Sequence, residues 1–297
     1  MIITEKIGKT HFSASEKIII DHITSLGKQI ENISASQIAK ETYTSAPLVV
    51  RVAKKLGYQG WNDFKNAYVK ELNYLLEETD VDASIPFIIH DDMTTIMTNI
   101  AKLETETISD TQKLIDHDQL AQVFSILRKC PIIDVYGISD HMILAKLFQN
   151  QMSFIKKQVN ICEVTGNEKI MAYNATEKHC AIIISYSGQT RYLQEIASIY
   201  KCRHIPLIAI TCIGENDINR LADATLFLSS KEMLNIKIGD FSSATSLKYL
   251  LDLIYAGVFS LNYKENLEQK IIIASLADDR YSDYEYINEE NTLTKNT

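Results

Sequence analysis

The chain has 297 residues, 46% hydrophobic and 23% charged, with 10 Gly and 4 Pro. That composition fits a soluble globular protein of about two domains and excludes collagen-like, linker-dominated and wholly disordered chains. The net charge of −8 conceals an asymmetry, because residues 1–77 carry ten Lys and Arg against eight acids while the remainder carries 20 against 30.

No apolar run approaches the roughly 18 residues of a membrane span, and Met1–Thr10 lacks an apolar signal core, so the expected location is the cytoplasm. The five cysteines, Cys130, Cys162, Cys180, Cys202 and Cys212, include no C-x-x-C pair. Reduced core thiols are expected, with no disulfide framework, no metal and no cofactor.

Four helices are expected before residue 77. Ser15–Leu26 spaces Ile18, Ile19, Ile23 and Leu26 helically, and Gly27 ends it. Ser34-Ala35-Ser36-Gln37 has capping-box form and opens a short helix through Ile38 and Ala39, broken by Tyr43-Thr44. Ser45 caps a third helix, Ala46–Leu56; Pro47 is tolerated in its first turn and Gly57 stops it. Trp61, Phe64, Tyr68, Leu72 and Leu75 form an apolar stripe on the fourth. Two short helices joined by a tight break match a helix-turn-helix, and Thr42–Asn62 holds Arg51, Lys54 and Lys55 with no acid, which suits local DNA contact. A helical protein-interaction module would satisfy the same spacing.

Glu77–Asp92 reads as an acidic linker, followed by an amphipathic helix at about Thr94–Ile115. From Asp118 helices and strands alternate. The expected strands are Ile132–Tyr136, Val159–Val164, Cys180–Ser185, Pro206–Thr211 and Thr225–Leu228. Helices are expected at Leu120–Lys129, His141–Ile155, Glu168–Ala175, Thr190–Lys201 and, briefly, Asp217–Ala222. Unbroken apolar runs such as Ala181-Ile182-Ile183-Ile184 belong to parallel strands covered on both faces, so an α/β/α sandwich with a mainly parallel sheet is expected. A long helix is expected at Ser243–Tyr263, whose apolar Leu247, Leu250, Leu251, Ile254 and Val258 serve either as core alone or, the favoured reading, as a face packed against a second copy of the domain. The expected divisions are 1–77, a linker and connecting helix at 78–117, a second domain at 118–278, and a flexible tail at 279–297.

Ligands of such sheets bind beyond the carboxyl ends of the strands. There Ser185-Tyr186-Ser187-Gly188-Gln189-Thr190 offers three hydroxyls, a turn-permitting glycine and the start of a helix, a combination that suits phosphate; an ordinary polar turn capped by Thr190 is the plainer alternative.

Two resemblances sharpen this. Ser36-Gln37-Ile38-Ala39-Lys40, Ser45 through Tyr58 with its Lys54-Lys55-Leu56-Gly57, Gly60-Trp61 and Phe64-Lys65 resemble the helix-turn-helix domain of RpiR-family transcriptional regulators over residues 8–76. Pro47 and Leu48 stand where that family usually carries Ala or Ser and Thr. The resemblance implies DNA contacts from Ser45, Ala46, Arg51, Lys54 and Lys55. Ser185-Tyr186-Ser187-Gly188-Gln189-Thr190, with Tyr136-Gly137, Ala209-Ile210-Thr211 and Asn219-Arg220-Leu221-Ala222-Asp223, resembles the sugar isomerase (SIS) domain over residues 118–262. Family members hold a phosphosugar through the hydroxyls matching Ser185, Ser187 and Thr190. Gly188, Gln189, Gly137, Ser139 and His141 complete the implied site, although Gly137-Ile138-Ser139-Asp140-His141 departs from the usual Gly-x-Gly-x-Ser.

The combination implies a non-enzymatic regulator, a repressor of sugar-metabolism genes. It would bind a palindromic duplex as a homodimer or homotetramer under control of a phosphorylated sugar. The alternative is a phosphosugar isomerase with an assembly module, using a base among Glu215, Glu232, His141 and His204.

Overall fold

The computed structural model describes residues 3–75, 80–164, 166–229 and 231–277, and the tail expected at 279–297 lies outside them. The first helices are α1 (Ile3–Lys9), α2 (Ala14–Leu26), a 3₁₀ segment Gly27–Asn32, α3 (Ala35–Glu41), α4 (Ala46–Lys55) and α5 (Trp61–Leu75). Ile19, Ile23, Ile30, Ile38, Val49, Val52, Leu56 and Phe64 are buried together and form their core. Phe64 stacks on Tyr68 and meets the edge of Tyr58, while Trp61 donates its indole N–H to the Ile33 carbonyl at 3.1 Å. The aromatic residues of the motif therefore hold the bundle together. Ser34 caps α3 by accepting from Gln37 N, but the Gln37 side chain turns to Glu41, leaving the capping box half made. The short α1 has no strong sequence signal; tertiary packing of Ile3 and a hydrogen bond from its amide to Glu71 at 2.5 Å hold it.

The remainder comprises α6 (Met93–Leu114), α7 (His117–Lys129), β1 (Ile132–Tyr136), α8 (Asp140–Ser153), β2 (Gln158–Ile161), α9 (Glu168–Asn174), β3 (His179–Ser185), α10 (Arg191–Cys202), β4 (Leu207–Cys212), β5 (Ala224–Leu228), α11 (Phe241–Leu261) and α12 (Tyr263–Ala277). The five strands are all parallel in the order β2-β1-β3-β4-β5. Strand alternation explains the apolar runs: Cys180, Ile182 and Ile184 of β3 face α7, α8 and α11, whereas Ala181 and Ile183 face α9 and α10. A Cβ at Gly257 would lie 2.1 Å from the Phe124 ring, so the close approach of α11 to α7 requires glycine. Buried hydroxyls tie α6 to α11, Thr107 to Ser242 at 3.0 Å and Thr111 to Ser246 at 2.8 Å.

One buried carboxylate interrupts this apolar interior. Asp134 of β1 is 0% exposed and accepts from Tyr200 OH at 2.6 Å, His179 Nδ1 at 2.7 Å and Asn160 Nδ2 at 2.8 Å. Tyr136 OH lies 3.0 Å from Tyr200 OH and extends the network.

Three expectations are corrected. Asp217–Ala222 is a turn rather than a helix: the Asn216 and Asn219 side chains cap one turn reciprocally, but Leu221 N and Ala222 N bond carbonyls only three residues back, and Asp223 N is already drawn to the Leu207 carbonyl of β4 at 2.8 Å, which ends the turn before a second can form. Leu247, Leu250, Leu251, Ile254 and Val258 of α11 are all buried within the chain, so that face forms core and offers no surface to a second copy. Among the cysteines, Cys130 and Cys180 are buried, but Cys202 is exposed and Cys162 and Cys212 are half-buried. Among the described residues no helix is long and apolar enough to cross a membrane.

Candidate functional site

The strand order reverses at β1: α8 carries the chain outward to β2, and β3 returns on the other side of β1. Such a reversal opens a crevice at the carboxyl ends of the two strands. A cavity of about 460 Å³ lies there, lined by Ser139, Asp140 and His141 after β1, Ser185, Ser187 and Thr190 after β3, and Leu234, Asn235, Lys237, Asp240 and Ser243 before and within α11. The starts of α8, α10 and α11 converge on it, each with backbone N–H groups lacking intrahelical acceptors.

The hydroxyl loop is shaped by its own bonds. Gly188 N donates to the Ser185 carbonyl at 3.2 Å, Gln189 N donates to Ser187 Oγ at 3.2 Å, and Ser185 Oγ lies 3.4 Å from Thr190 Oγ1. Gly188 has φ +62° and an ideal Cβ would meet Asn216 at 2.0 Å, so both backbone and space demand glycine. Ser139, where glycine would be usual, sits at φ +51°, and its side chain does not cap α8.

Charge in the cavity is mixed. Lys237 Nζ pairs closely with Asp240 and lies 3.4 Å from Glu232, which raises its pKa although burial alone would lower it. The same pairing with Lys237 holds Asp240 below the ordinary carboxylate range. Burial pushes His141 down, favouring the neutral imidazole. Ser243 Oγ, buried on the cavity lining, and Glu232 Oε1 have no hydrogen-bond partner among the described residues.

At the other end of the chain, α4 buries Val49, Val52 and Ala53 and turns Ser45, Arg51, Lys54 and Lys55 outward; Ala46 is half-buried. Ser45 holds the N-cap position without a side-chain cap bond, leaving its hydroxyl unused by the helix. Arg51 is 69% exposed, and Tyr43, in the turn before α4, is 97% exposed. Glu16 lies beneath this face, accepting from Lys55 Nζ at 2.7 Å and from Ser13 N at 2.9 Å. The bond from Lys55, then that from Ser13, lowers its pKa from 4.5 to about 2. A carboxylate depressed on folding stabilises above its unfolded value, so its contribution is expected to vanish as pH falls from about 4.5 to about 2. Thermal melts of wild type and Glu16→Gln between pH 6 and pH 3 check this: the variant should lose less stability on acidification, and equal losses would mean Glu16 carries none of it.

Family sequence models match two stretches of the chain, "Helix-turn-helix domain, rpiR family" over residues 1–74 and "SIS domain" over residues 126–249, together more than half its length. The chain belongs to the RpiR family. Its fold is shared by the NanR protein of Vibrio vulnificus complexed with ManNAc-6P, at 21% identity and TM-score 0.58, covering 91% of this chain and 96% of that one. It is shared over 61% of this chain and 98% of the other by the sugar isomerase domain of an RpiR transcription factor from Sphaerobacter thermophilus, at 14% identity and TM-score 0.54. A putative sugar-phosphate isomerase from Listeria monocytogenes matches over the same shares at 18% identity and TM-score 0.53.

In this RpiR chain the cavity gathers Ser139, His141, Ser185, Ser187 and Thr190, whereas Gly137, Gly188 and Gln189 flank it without lining it. Gly137 packs against Met142 and Ile184, and the Gln189 side chain faces solvent. Of the four candidate bases, His141 lines the cavity and Glu232 stands behind it. Glu215 instead binds Lys6, and His204 borders a separate 320 Å³ pocket beside Lys129 and Pro206. Lys237, Asp240 and Ser243 escaped sequence reasoning, for they carry no motif and lie some fifty residues beyond the hydroxyl loop.

Proposed function

We propose that this chain is a cytoplasmic transcriptional repressor of sugar-metabolism genes, that it senses a phosphorylated sugar in the β1/β3 cavity, and that the sugar is a signal and not a substrate. The observation that carries this reading is the presence, in one chain, of a basic helix-turn-helix face and a hydroxyl-lined anion cavity at a strand-order reversal. The phosphate sits among Ser185, Ser187, Thr190 and the amides opening α10. Ser139 and His141 border the sugar, and Lys237 is the one ammonium group among the described lining residues. NanR, with its bound ManNAc-6P, supports a phosphorylated sugar as the class of effector. Ser45, Ala46 and Arg51 face base edges or phosphates in the major groove, and Lys54 and Lys55 face phosphates. Homodimers or homotetramers present paired α4 helices to a palindromic operator.

Calorimetry against a panel of hexose, hexosamine and N-acetylhexosamine 6-phosphates tests the sensing half. Wild type should bind at least one, and Ser187→Ala should weaken it by about tenfold, in line with about 1.5 kcal/mol for a hydrogen bond to a charged group. Arg51→Ala should lower affinity for a duplex selected from a random pool and reduce the slope of log K against log salt by about 1. Turnover of a hexose phosphate without sequence-selective DNA binding would establish the isomerase reading instead.

A further inference from the structure

The segment between β4 and β5 touches both ends of the proposed function. Asn216 is 1% exposed, and its side chain donates to Thr211 Oγ1 at 3.1 Å and accepts from Asn219 N at 3.0 Å. Asn219 Oδ1 in turn accepts from Asn216 N at 2.9 Å, and its Nδ2 donates to the Gly214 carbonyl at 2.7 Å. Residues 214–219 are thus a braced turn, fixed to the end of β4. That turn leans on the hydroxyl loop: Asn216 fills the space over Gly188, and Cys212 N donates to the Tyr186 carbonyl at 2.9 Å.

The neighbouring residue faces the other way. Glu215 accepts from Lys6 Nζ of α1 at 2.6 Å and from Arg220 at 3.3 Å. Burial works against its charge, but the bonds from Lys6 and Arg220 prevail and lower its pKa. Lys6 Nζ lies 2.9 Å from where a Gly57 Cβ would be and 5.5 Å from the Tyr58 ring centroid. Gly57 and Tyr58 follow Leu56, the C-cap of α4, so two consecutive residues, Glu215 and Asn216, connect the hydroxyl loop to the end of the DNA-facing helix.

We infer that the 214–219 turn is the coupling element of this regulator. Asn216 follows the hydroxyl loop when an anion fills it, and Glu215 carries that displacement through Lys6 to the end of α4, altering DNA affinity. The inference rests on the hydroxyl loop being the effector site. Coupling by this route needs the two sites to share one element whose position both ligands bias. Glu215 and Lys6 touch neither ligand in this scheme, so they are positioning residues.

The experiment uses the full chain, glucosamine 6-phosphate, glucose 6-phosphate and N-acetylmannosamine 6-phosphate as probes, and a duplex enriched from a random pool by wild type. The readout is the ratio of duplex Kd with and without saturating probe. Wild type should show a ratio change of at least about fivefold, the lower end of ordinary allosteric coupling. Glu215→Gln should bring the ratio to within about twofold of unity while its probe Kd stays within about twofold of wild type. The charge exchange Lys6→Glu with Glu215→Lys should restore the response. A wild-type ratio retained by Glu215→Gln overturns the relay, as does loss of response in Thr107→Val, on the α6–α11 seam, with Glu215→Gln unaffected. A wild type that binds no probe fails at the effector site itself and removes the basis of the relay. A wild type that binds a probe with no change in DNA affinity defeats the relay alone.

Discussion

Gly188→Ala is expected to weaken phosphosugar binding by at least roughly thirtyfold. The new methyl would lie 2.0 to 2.4 Å from the Asn216 amide, which cannot swing aside without breaking its bonds to Thr211 and Asn219. The backbone must also hold φ +62°, which costs a non-glycine residue about 1–2 kcal/mol. Overpacking adds about 1–3 kcal/mol unless something moves. What moves is the loop, because it is the exposed partner. The variant rests with Ser187 displaced, and the ligand must drive it back, lowering apparent affinity by the fraction of competent loop. Calorimetry with the same hexosamine phosphates measures the loss. Gly188→Ala combined with Asn216→Ala should recover part of the binding, since the clash is gone and only the backbone cost remains. Wild-type affinity in the single variant would mean that the loop shape is not what the ligand recognises.

The hydroxyl loop was readable because its chemistry is local: three hydroxyls and a glycine lie within six residues after an apolar strand, and the fold places them together. The parallel sheet was readable for a related reason, since strands buried on both faces lose alternation and show as unbroken apolar runs. What stayed hidden depends on partners far apart in sequence. Lys237 reaches the cavity only because α11 begins beside β3, and its pairing with Glu232 and Asp240 has no fixed spacing to recognise. Glu215 looked like one more surface acid or a stray base, because Lys6 stands 209 positions away. Asp217–Ala222 had helical spacing, yet the chain is drawn to the Leu207 carbonyl at Asp223 after a single capped turn. The departure at Ser139 was visible as a missing glycine, and its left-handed backbone shows what that glycine would have served.

Asp134→Ala is expected to be the most destabilising single change in the sheet, at about 3–5 kcal/mol, the range for stripping one partner from a buried charged network. The sequence Ile132-Ile133-Asp134-Val135-Tyr136 puts one acid in an apolar strand, and its cost is offset only because Tyr200, His179 and Asn160 all converge on it. Burial, followed by the charges and bonds of Tyr136 and Asp134, keeps the Tyr200 phenol protonated and so a donor throughout the accessible pH range. Alanine would orphan three donors from three different elements at once, and solvent cannot reach Tyr200 to replace the lost acceptor. For a chain of this size the melting temperature should fall by roughly 10 °C. Scanning calorimetry checks this. The triple variant Asp134→Leu, Tyr136→Phe and Tyr200→Phe separates the causes: the fully buried hydroxyls leave together with their acceptor, and the half-buried His179 and Asn160 can turn to water, so it should melt well above the alanine variant. If both melt equally low, lost packing rather than lost pairing explains the instability; if the alanine variant melts within about 2 °C of wild type, the network contributes little to holding β1 against β3.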